Sequence, residues 1–345
     1  MAVHSLAAHV DDQIFCLVCL AEHQEFLVKS GQPVSASTPK VSILVKTLNE
    51  EANIERCLSS CIEALETTGG EIIVADSLSD DATVQIASQF PVRIVQLEHP
   101  EERSCGMAAQ LGFQYSRGEY LYIIDGDMEL PPEFLHEAIC FLDTHADVAG
   151  VGGQLEEIQP ETHLSRIRSS RKQPWHHKPG EVDRLEGGGL YRRSAIEQAG
   201  GYLTHPGLHA YEELELAQRL RGAGWRLRRL EAVSMRHAAH RDPPFALLAR
   251  RWRSRYAFGS GELILAVTGR PYFRSTLSEF KFNFAIWAWW LVTLACLVGA
   301  FWFPGAGLLA LAIVVFPFVV MILRKRDFSL GVYAVASWNV FAAGM

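Results

Sequence analysis

The sequence predicts an α/β fold on a mostly parallel sheet, followed by C-terminal transmembrane helices. Three observations carry this. Between Lys40 and Asp125, short and nearly unbroken apolar runs alternate with amphipathic stretches, the pattern of strands buried on both faces under helices. Phe284–Phe303, "FAIWAWWLVTLACLVGAFWF", is 20 residues without a charge, or about 30 Å of helix, the thickness of a bilayer core. After "PGAG", too short for more than a tight turn, Leu308–Leu323 returns as a second apolar run, stopped by Arg324, Lys325 and Arg326.

The elements follow in order. "VSILVKT" (Val41–Thr47) reads as a strand, and Asn49–Glu66 as an amphipathic helix with apolar residues at 54, 58, 61, 62 and 65. Glu71–Ser77 is a second strand, Ser79–Phe90 a capped helix, and "VRIVQLE" a third strand. "CGMAAQLGFQYS" is a third helix, leading into "EYLYIID". In parallel sheets ligands bind at the carboxyl ends of the strands, where Thr47, Asp76 and Asp125 fall.

The formal charge of −7 gives no electrostatic reason for a nucleic-acid partner. Asp11 and Asp12 stand where a signal peptide needs a basic region. Cys16 and Cys19 form a C-x-x-C without a second pair to complete a zinc site, so the seven cysteines read as free thiols of a reducing compartment. Lys281 before the first span and Arg324–Arg326 after the second predict that both hairpin ends face the cytoplasm, with tryptophans 287, 289, 290 and 302 suited to the interface. The expected organisation is an N-terminal extension (1–39), a cytoplasmic catalytic domain (40–240), a basic amphipathic interfacial segment (241–283), a transmembrane hairpin (284–323) in the inner membrane, and a tail (324–345) that is interfacial or begins a third span.

Asp125-Gly126-Asp127 closes the strand "EYLYIID" and precedes "PPEFLHEAICFL", a helix with prolines in its first turn. Paired carboxylates on such a turn suit a hard divalent cation, Mn²⁺ or Mg²⁺, bridging a diphosphate. Two aspartates that only cap the next helix are the plainer alternative.

With these segments in place, Val41 to about His237 resembles a family 2 glycosyltransferase of the inverting, GT-A type, a Rossmann-like fold. "VSILVKTLNE", "EIIVADSLSDDAT", "RSCGMAAQLGFQYSRGEYLYIIDGD", "EGGGLYRRSAIEQAGGY" and "YEELELAQRLRGAGWRLRRLEAVSMRH" follow the family's order. The resemblance implies that Thr47, Asn49 and Glu50 line the nucleotide pocket, Asp76 lies beside base or ribose, and Arg103 is a phosphate-side cation. It implies further that Asp125 approaches the ribose or the metal, Asp127 is the main metal ligand, Glu213 is the general base, and His237 is a metal or diphosphate ligand or a structural residue; His240 is read as structural. Lys46 stands where the family commonly has proline, Leu48 where an aromatic often stacks, and Ser77 where a second aspartate stands in some members.

The implied chemistry is a single displacement: a carboxylate takes the acceptor hydroxyl's proton while a divalent cation steadies the departing diphosphate. "DMELPPEF" resembles the polyprenyl-phosphate sugar transferases, whose phosphate acceptor needs no strong base, whereas the Glu212-Glu213 helix favours a hydroxyl acceptor, lipid-linked or on a glycan precursor. "RRWRSR" (Arg250–Arg255) does not match the Q/R-x-x-R-W spacing of processive synthases, so one sugar is added per reaction unless a membrane partner subunit supplies a channel. A nucleotidyltransferase and a non-catalytic membrane scaffold are the alternatives from other classes. The segment Lys172–Arg184 is expected to close over the donor.

Overall fold

The computed structural model describes residues 29–30, 38–158, 178–238 and 243–345. Cys16, Cys19, His240 and residues 172–177 of the expected donor-covering segment lie outside the described residues. The strands are β1 (Lys29–Ser30), β2 (Val41–Thr47), β3 (Gly70–Asp76), β4 (Arg93–Gln96), β5 (Tyr120–Asp125), β6 (Met128–Glu129), β7 (Val148–Ile158), β8 (Gly180–Val182), β9 (Gly189–Arg192) and β10 (Arg226–Ala238). They form one mixed sheet in the order β1-β4-β3-β2-β5-β9-β7-β10-β6, with β8 on β10. The four strands β4-β3-β2-β5 are parallel, and β9 joins β5 and β7 antiparallel.

The alternation of side chains along a strand explains why both sheet faces are dry. In β2, Val41, Ile43 and Val45 enter one core cluster and Leu44 the other; Tyr122 and Ile124 of β5 follow the first, Leu121 and Ile123 the second. One face is covered by α1 (Ile54–Thr68) and α4 (Pro132–Thr144), the other by α3 (Cys105–Tyr115), α5 (Arg193–Gln198) and α6 (Glu212–Gly222). Each fully buried aliphatic side chain contributes about 1.5–3 kcal/mol. Apart from Glu71 at the amino end of β3, the strands β2, β3 and β5 carry no charge before their carboxyl ends, at Lys46, Asp76 and Asp125.

Two helices start later than the sequence pattern implies. Residues 49–53 form a turn, with Asn49 at φ 60 and the Glu50 carbonyl accepting from the Asn53 and Ile54 amides. The helix expected from Ser79 to Phe90 is only α2 (Thr83–Ala87), because Asp81 caps the Thr83 amide and residues 77–82 are committed to the loop.

Beyond β10, α7 (Pro244–Arg253), α8 (Gly259–Ala266) and α9 (Phe273–Glu279) lead to α10 (Lys281–Gly299) and α11 (Pro304–Lys325). The "PGAG" segment is not the turn: Pro304 opens α11, where a missing N–H costs nothing, and residues 300–303 make the connection. Both helices are long and apolar enough to cross a membrane, and only 11% of each apolar window is buried within the protein. A hairpin in a soluble core would be buried; here Leu291, Leu308 and Phe316 are exposed, apolar surface of the kind that suggests membrane association. The tail is α12 (Phe328–Ala343), whose 16 residues reach about 24 Å, short of a bilayer core. It packs on α10 through Trp287 Nε1, which donates to the Ala342 carbonyl at 2.7 Å, and through Trp290 Nε1, which donates to Asn339 Oδ1 at 2.5 Å. Phe245 of α7 meets Tyr333 of α12 edge-on, with ring centres 5.6 Å apart.

Candidate active site

The register of the central strands sets the site. Thr47 is paired with Asp76 and Lys46 with Asp125, so these side chains share one edge of the sheet. Asp76 is fully buried and already saturated: Thr47 Oγ1 and Ser79 Oγ donate to its Oδ1 at 3.0 and 2.5 Å, and the Ser79 amide and Gln96 Nε2 to its Oδ2, both at 3.0 Å. Asp76 thereby shapes the loop after β3. Asn49 works from the facing loop: its amide donates to Ser79 Oγ, and its Oδ1 accepts from the Asp80 amide. Arg103 donates through Nε to the Ser77 carbonyl and through Nη2 to the Leu78 carbonyl, at 2.8 and 2.6 Å. It braces Leu78, which holds φ 61. Asp76, Asn49 and Arg103 thus meet on one loop, 77–80.

Asp125 and Asp127 face different partners. The Asp125 carboxylate lies 2.9 Å from Lys46 Nζ, which also reaches Glu212 Oε1 at 3.3 Å. The Gly126 amide donates to the Lys46 carbonyl, and a Cβ at Gly126 would come within 3.0 Å of Thr47 and 3.2 Å of Glu50; the tight turn holds its neighbours close. Antiparallel pairing of β6 with β10 sets Met128 beside His237, which brings His237 Nε2 to 3.3 Å from Asp127 Oδ2. Both side chains are largely sheltered, at 16% exposure. Burial pulls the His237 imidazole down, but the hydrogen bond and charge of Asp127 outweigh it and leave the group above its ordinary value. Among the described residues no cluster of three or more His, Cys, Asp or Glu forms a ready cation cage. A carboxylate and an imidazole side by side nonetheless fit a divalent ion that takes its remaining oxygens from a diphosphate and water. Asp127 and His237 would hold it.

Glu50, with its Oε2 accepting from Asn53 Nδ2, is pushed up to about 7 by burial; the Asn53 bond opposes this, Asp127 and Asp125 reinforce it, and Arg250 of α7 opposes it in turn. Helix α6 sorts its three glutamates by partner. Glu212 accepts from Lys46. Glu215 is buried against Arg219 at 3.0 Å and accepts from the Tyr202 hydroxyl, which makes it a structural ion pair. Glu213 Oε1 accepts from the Gly187 amide at 3.0 Å. Gly187 and Gly188 sit at φ 72 and 135, and a Cβ on Gly188 would fall 2.6 Å from the Ile123 carbonyl. Only glycine lets this loop press onto β5 and turn an N–H toward Glu213. Burial drives Glu213 up to about 8, the neighbouring charges of Glu212 and Asp125 add to the rise, and Lys46 and the Gly187 bond temper it.

Sequence reasoning noted Lys46 only as a departure from proline. It is the buried cation that joins the D-x-D strand to the start of α6, and its pKa stays well above the ordinary lysine value: burial opposes this, and Asp125 and Glu212 overcome it. A lysine inside an otherwise apolar strand was the available signal.

Residues 42–200 match the model of glycosyl transferase family 2. A dolichol-phosphate mannosyltransferase of Pyrococcus furiosus is 30% identical over 114 residues, 32% of this chain and 32% of that protein. Glycosyltransferase AglE of Haloferax volcanii is 25% identical over 238 residues, 67% of this chain and 75% of its own. The chain therefore spans about a third of the first relative and three quarters of the second. Among solved structures, mannosyltransferase PcManGT of Pyrobaculum calidifontis, in complex with GDP-Man and Mn²⁺, has the same fold at a TM-score of 0.55 and 20% identity, covering 97% of this chain and 96% of its own. Matched segment, glycosyltransferase relatives and shared α/β fold agree: residues 42–200 of this chain are similar to glycosyl transferase family 2.

Proposed function

We propose that this chain transfers one sugar, with inversion, from a nucleotide-sugar donor to a hydroxyl on a lipid-linked or glycan acceptor at the cytoplasmic face of a membrane. One observation carries the reading. Glu213, half-buried and pushed up to about 8, stands in the same cluster as the D-x-D turn, where a carboxylate of that basicity suits proton removal near neutral pH. Thr47, Asn49, Glu50, Asp76 and Arg103 shape the donor side, and the acceptor oxygen loses its proton to Glu213 as it attacks the anomeric carbon. A divalent ion held by Asp127 and His237 supplies Lewis-acid stabilisation of the leaving diphosphate; a solved neighbour bound to GDP-Man and Mn²⁺ supports this. Asp125 stands ready beside Lys46 for the ribose or the ion.

A second reading has its own support. The Pyrococcus furiosus relative is a dolichol-phosphate mannosyltransferase, and a polyprenyl phosphate, already ionised, would need no base. The exposed apolar helices α10 and α11, with Lys281, Arg324 and Lys325 at one end, support a multi-pass anchor whose catalytic domain faces the cytoplasm.

The experiment supplies a panel of sugar nucleotides with Mn²⁺ or Mg²⁺ to the full chain in sealed membrane vesicles, with hydroxyl or polyprenyl-phosphate acceptors. Nucleoside diphosphate should appear in inside-out vesicles and not in right-side-out ones, and only with a hydroxyl acceptor. Pyrophosphate release from a nucleoside triphosphate would replace transferase with nucleotidyltransferase; turnover on polyprenyl phosphate alone would select the second reading.

A further inference from the structure

A cavity of about 560 Å³ opens between the last turn of α11 and the middle of α12, lined by Met321, Arg324, Lys325, Ala334 and Trp338. None of these residues belongs to the candidate active site. The volume falls within the range of small-molecule sites, about 300–1,000 Å³. Arg324 and Lys325 at the end of α11 complement the negative pole of that helix, and that alone would explain two basic residues. It does not explain a cavity roofed by a tryptophan.

The cavity's level and construction bear on what it would bind. α11 ends at Lys325 and α10 begins at Lys281, so the two cations lie where a spanning hairpin leaves the hydrocarbon. Trp338 is fixed from behind by Phe282 at the start of α10, ring to edge, with centres 5.1 Å apart. Gly331 lets α12 press onto α11, since a Cβ there would meet Ile322 Cγ1 at 2.5 Å. Asp327 caps α12, its Oδ1 accepting from the Leu330 amide at 2.8 Å. Helix packing therefore sets the cavity walls, with Met321, Arg324 and Lys325 contributed by α11 and Ala334 and the Trp338 indole by α12. A basic pocket of this kind between membrane helices suits an anionic headgroup, with apolar walls for the glycerol and upper acyl carbons. We propose that this cavity binds the phosphate head of an anionic phospholipid, and so fixes α12, and through the Phe245–Tyr333 contact α7, against the membrane surface. The proposal rests on the reading of α10 and α11 as membrane spans.

The test titrates the detergent-purified full chain with phosphatidylglycerol, phosphatidylcholine or inorganic phosphate, and reads bound lipid by native mass spectrometry and melting temperature. Phosphatidylglycerol alone should bind saturably and raise the melting temperature. Arg324→Gln with Lys325→Gln should weaken that binding about thirtyfold, at about fivefold per charge. Ala334→Phe keeps both charges and fills the cavity; it should weaken binding as much, with its lipid-free melting temperature reporting that it folds. Wild-type binding by Ala334→Phe would reduce the effect to surface charge and overturn the pocket. Stabilisation by inorganic phosphate alone would make it a soluble-anion site. Release of the wild-type chain from membranes by alkaline carbonate would instead overturn the membrane reading, and the proposal with it.

Discussion

Glu213→Gln should lower turnover by about 10²–10⁴-fold while leaving nucleoside diphosphate binding near the wild-type level. The amide is nearly isosteric and its oxygen can still accept from Gly187, so the loop against β5 keeps its shape; only the proton acceptor is lost. The pH profile separates this from general damage. Glu213 sits at about 8 in the folded chain, first through burial and then through Glu212 and Asp125, and in the proposed reaction its ionised form is the base. Wild-type kcat/KM should rise with pH through about 8, and the variant should lack that limb while keeping any limb due to Glu50 at about 7. Stability carries the opposite sign. Between 4.5 and about 8 the folded state retains a proton that the unfolded chain has lost, so stability falls as pH rises across that window. The variant should lose that slope as well. Turnover at the wild-type rate would remove Glu213 from the reaction.

Asp127→Asn should lose about 10³-fold in activity, since Lewis-acid stabilisation of a leaving diphosphate is worth several kcal/mol. Its companion signature is direct: Mn²⁺ titration of nucleoside diphosphate binding should shift to much higher concentration. The substitution also withdraws the charge that holds His237 above its ordinary value. Asp125→Asn tests the neighbouring carboxylate separately, because Asp125 is held by Lys46 at 2.9 Å. If Asp127→Asn binds Mn²⁺ and nucleotide as the wild type does, the Asp127–His237 pair is not the cation site.

Short-range pattern made much of this legible. The apolar runs located β2, β3 and β5, and their ends located Thr47, Asp76 and Asp125, because a strand buried on both faces admits carboxylates only at its rim. Three glutamates opening a helix were visible in the sequence, but their division of labour was not. Lys46 meets Glu212 across 166 residues, and His237 reaches Asp127 only because β6 pairs with β10. Such juxtapositions come from sheet register, which no local window contains. The later helix starts have a related reason: the amides of Asn49, Glu50 and Glu51 on one loop, and of Asp80 and Ala82 on the other, are taken by side chains of the facing segment. Pro304 was read as a turn former when its position at the start of an apolar run made it a helix opener.

Lys46 has a consequence of another kind. One ammonium balances Asp125 on the proposed donor side and the Glu212–Glu213 pair on the proposed acceptor side, so neither side can change its charge unnoticed by the other. A cation arriving near Asp125 favours the ionised form of Glu213, and by thermodynamic reciprocity an ionised Glu213 tightens cation binding by the same factor. Cation affinity should therefore climb with pH more steeply in the wild type than in Glu213→Gln, and equal slopes would deny the coupling. Loading the donor would then itself ready the base, and an enzyme without donor would hold that base partly protonated near neutral pH.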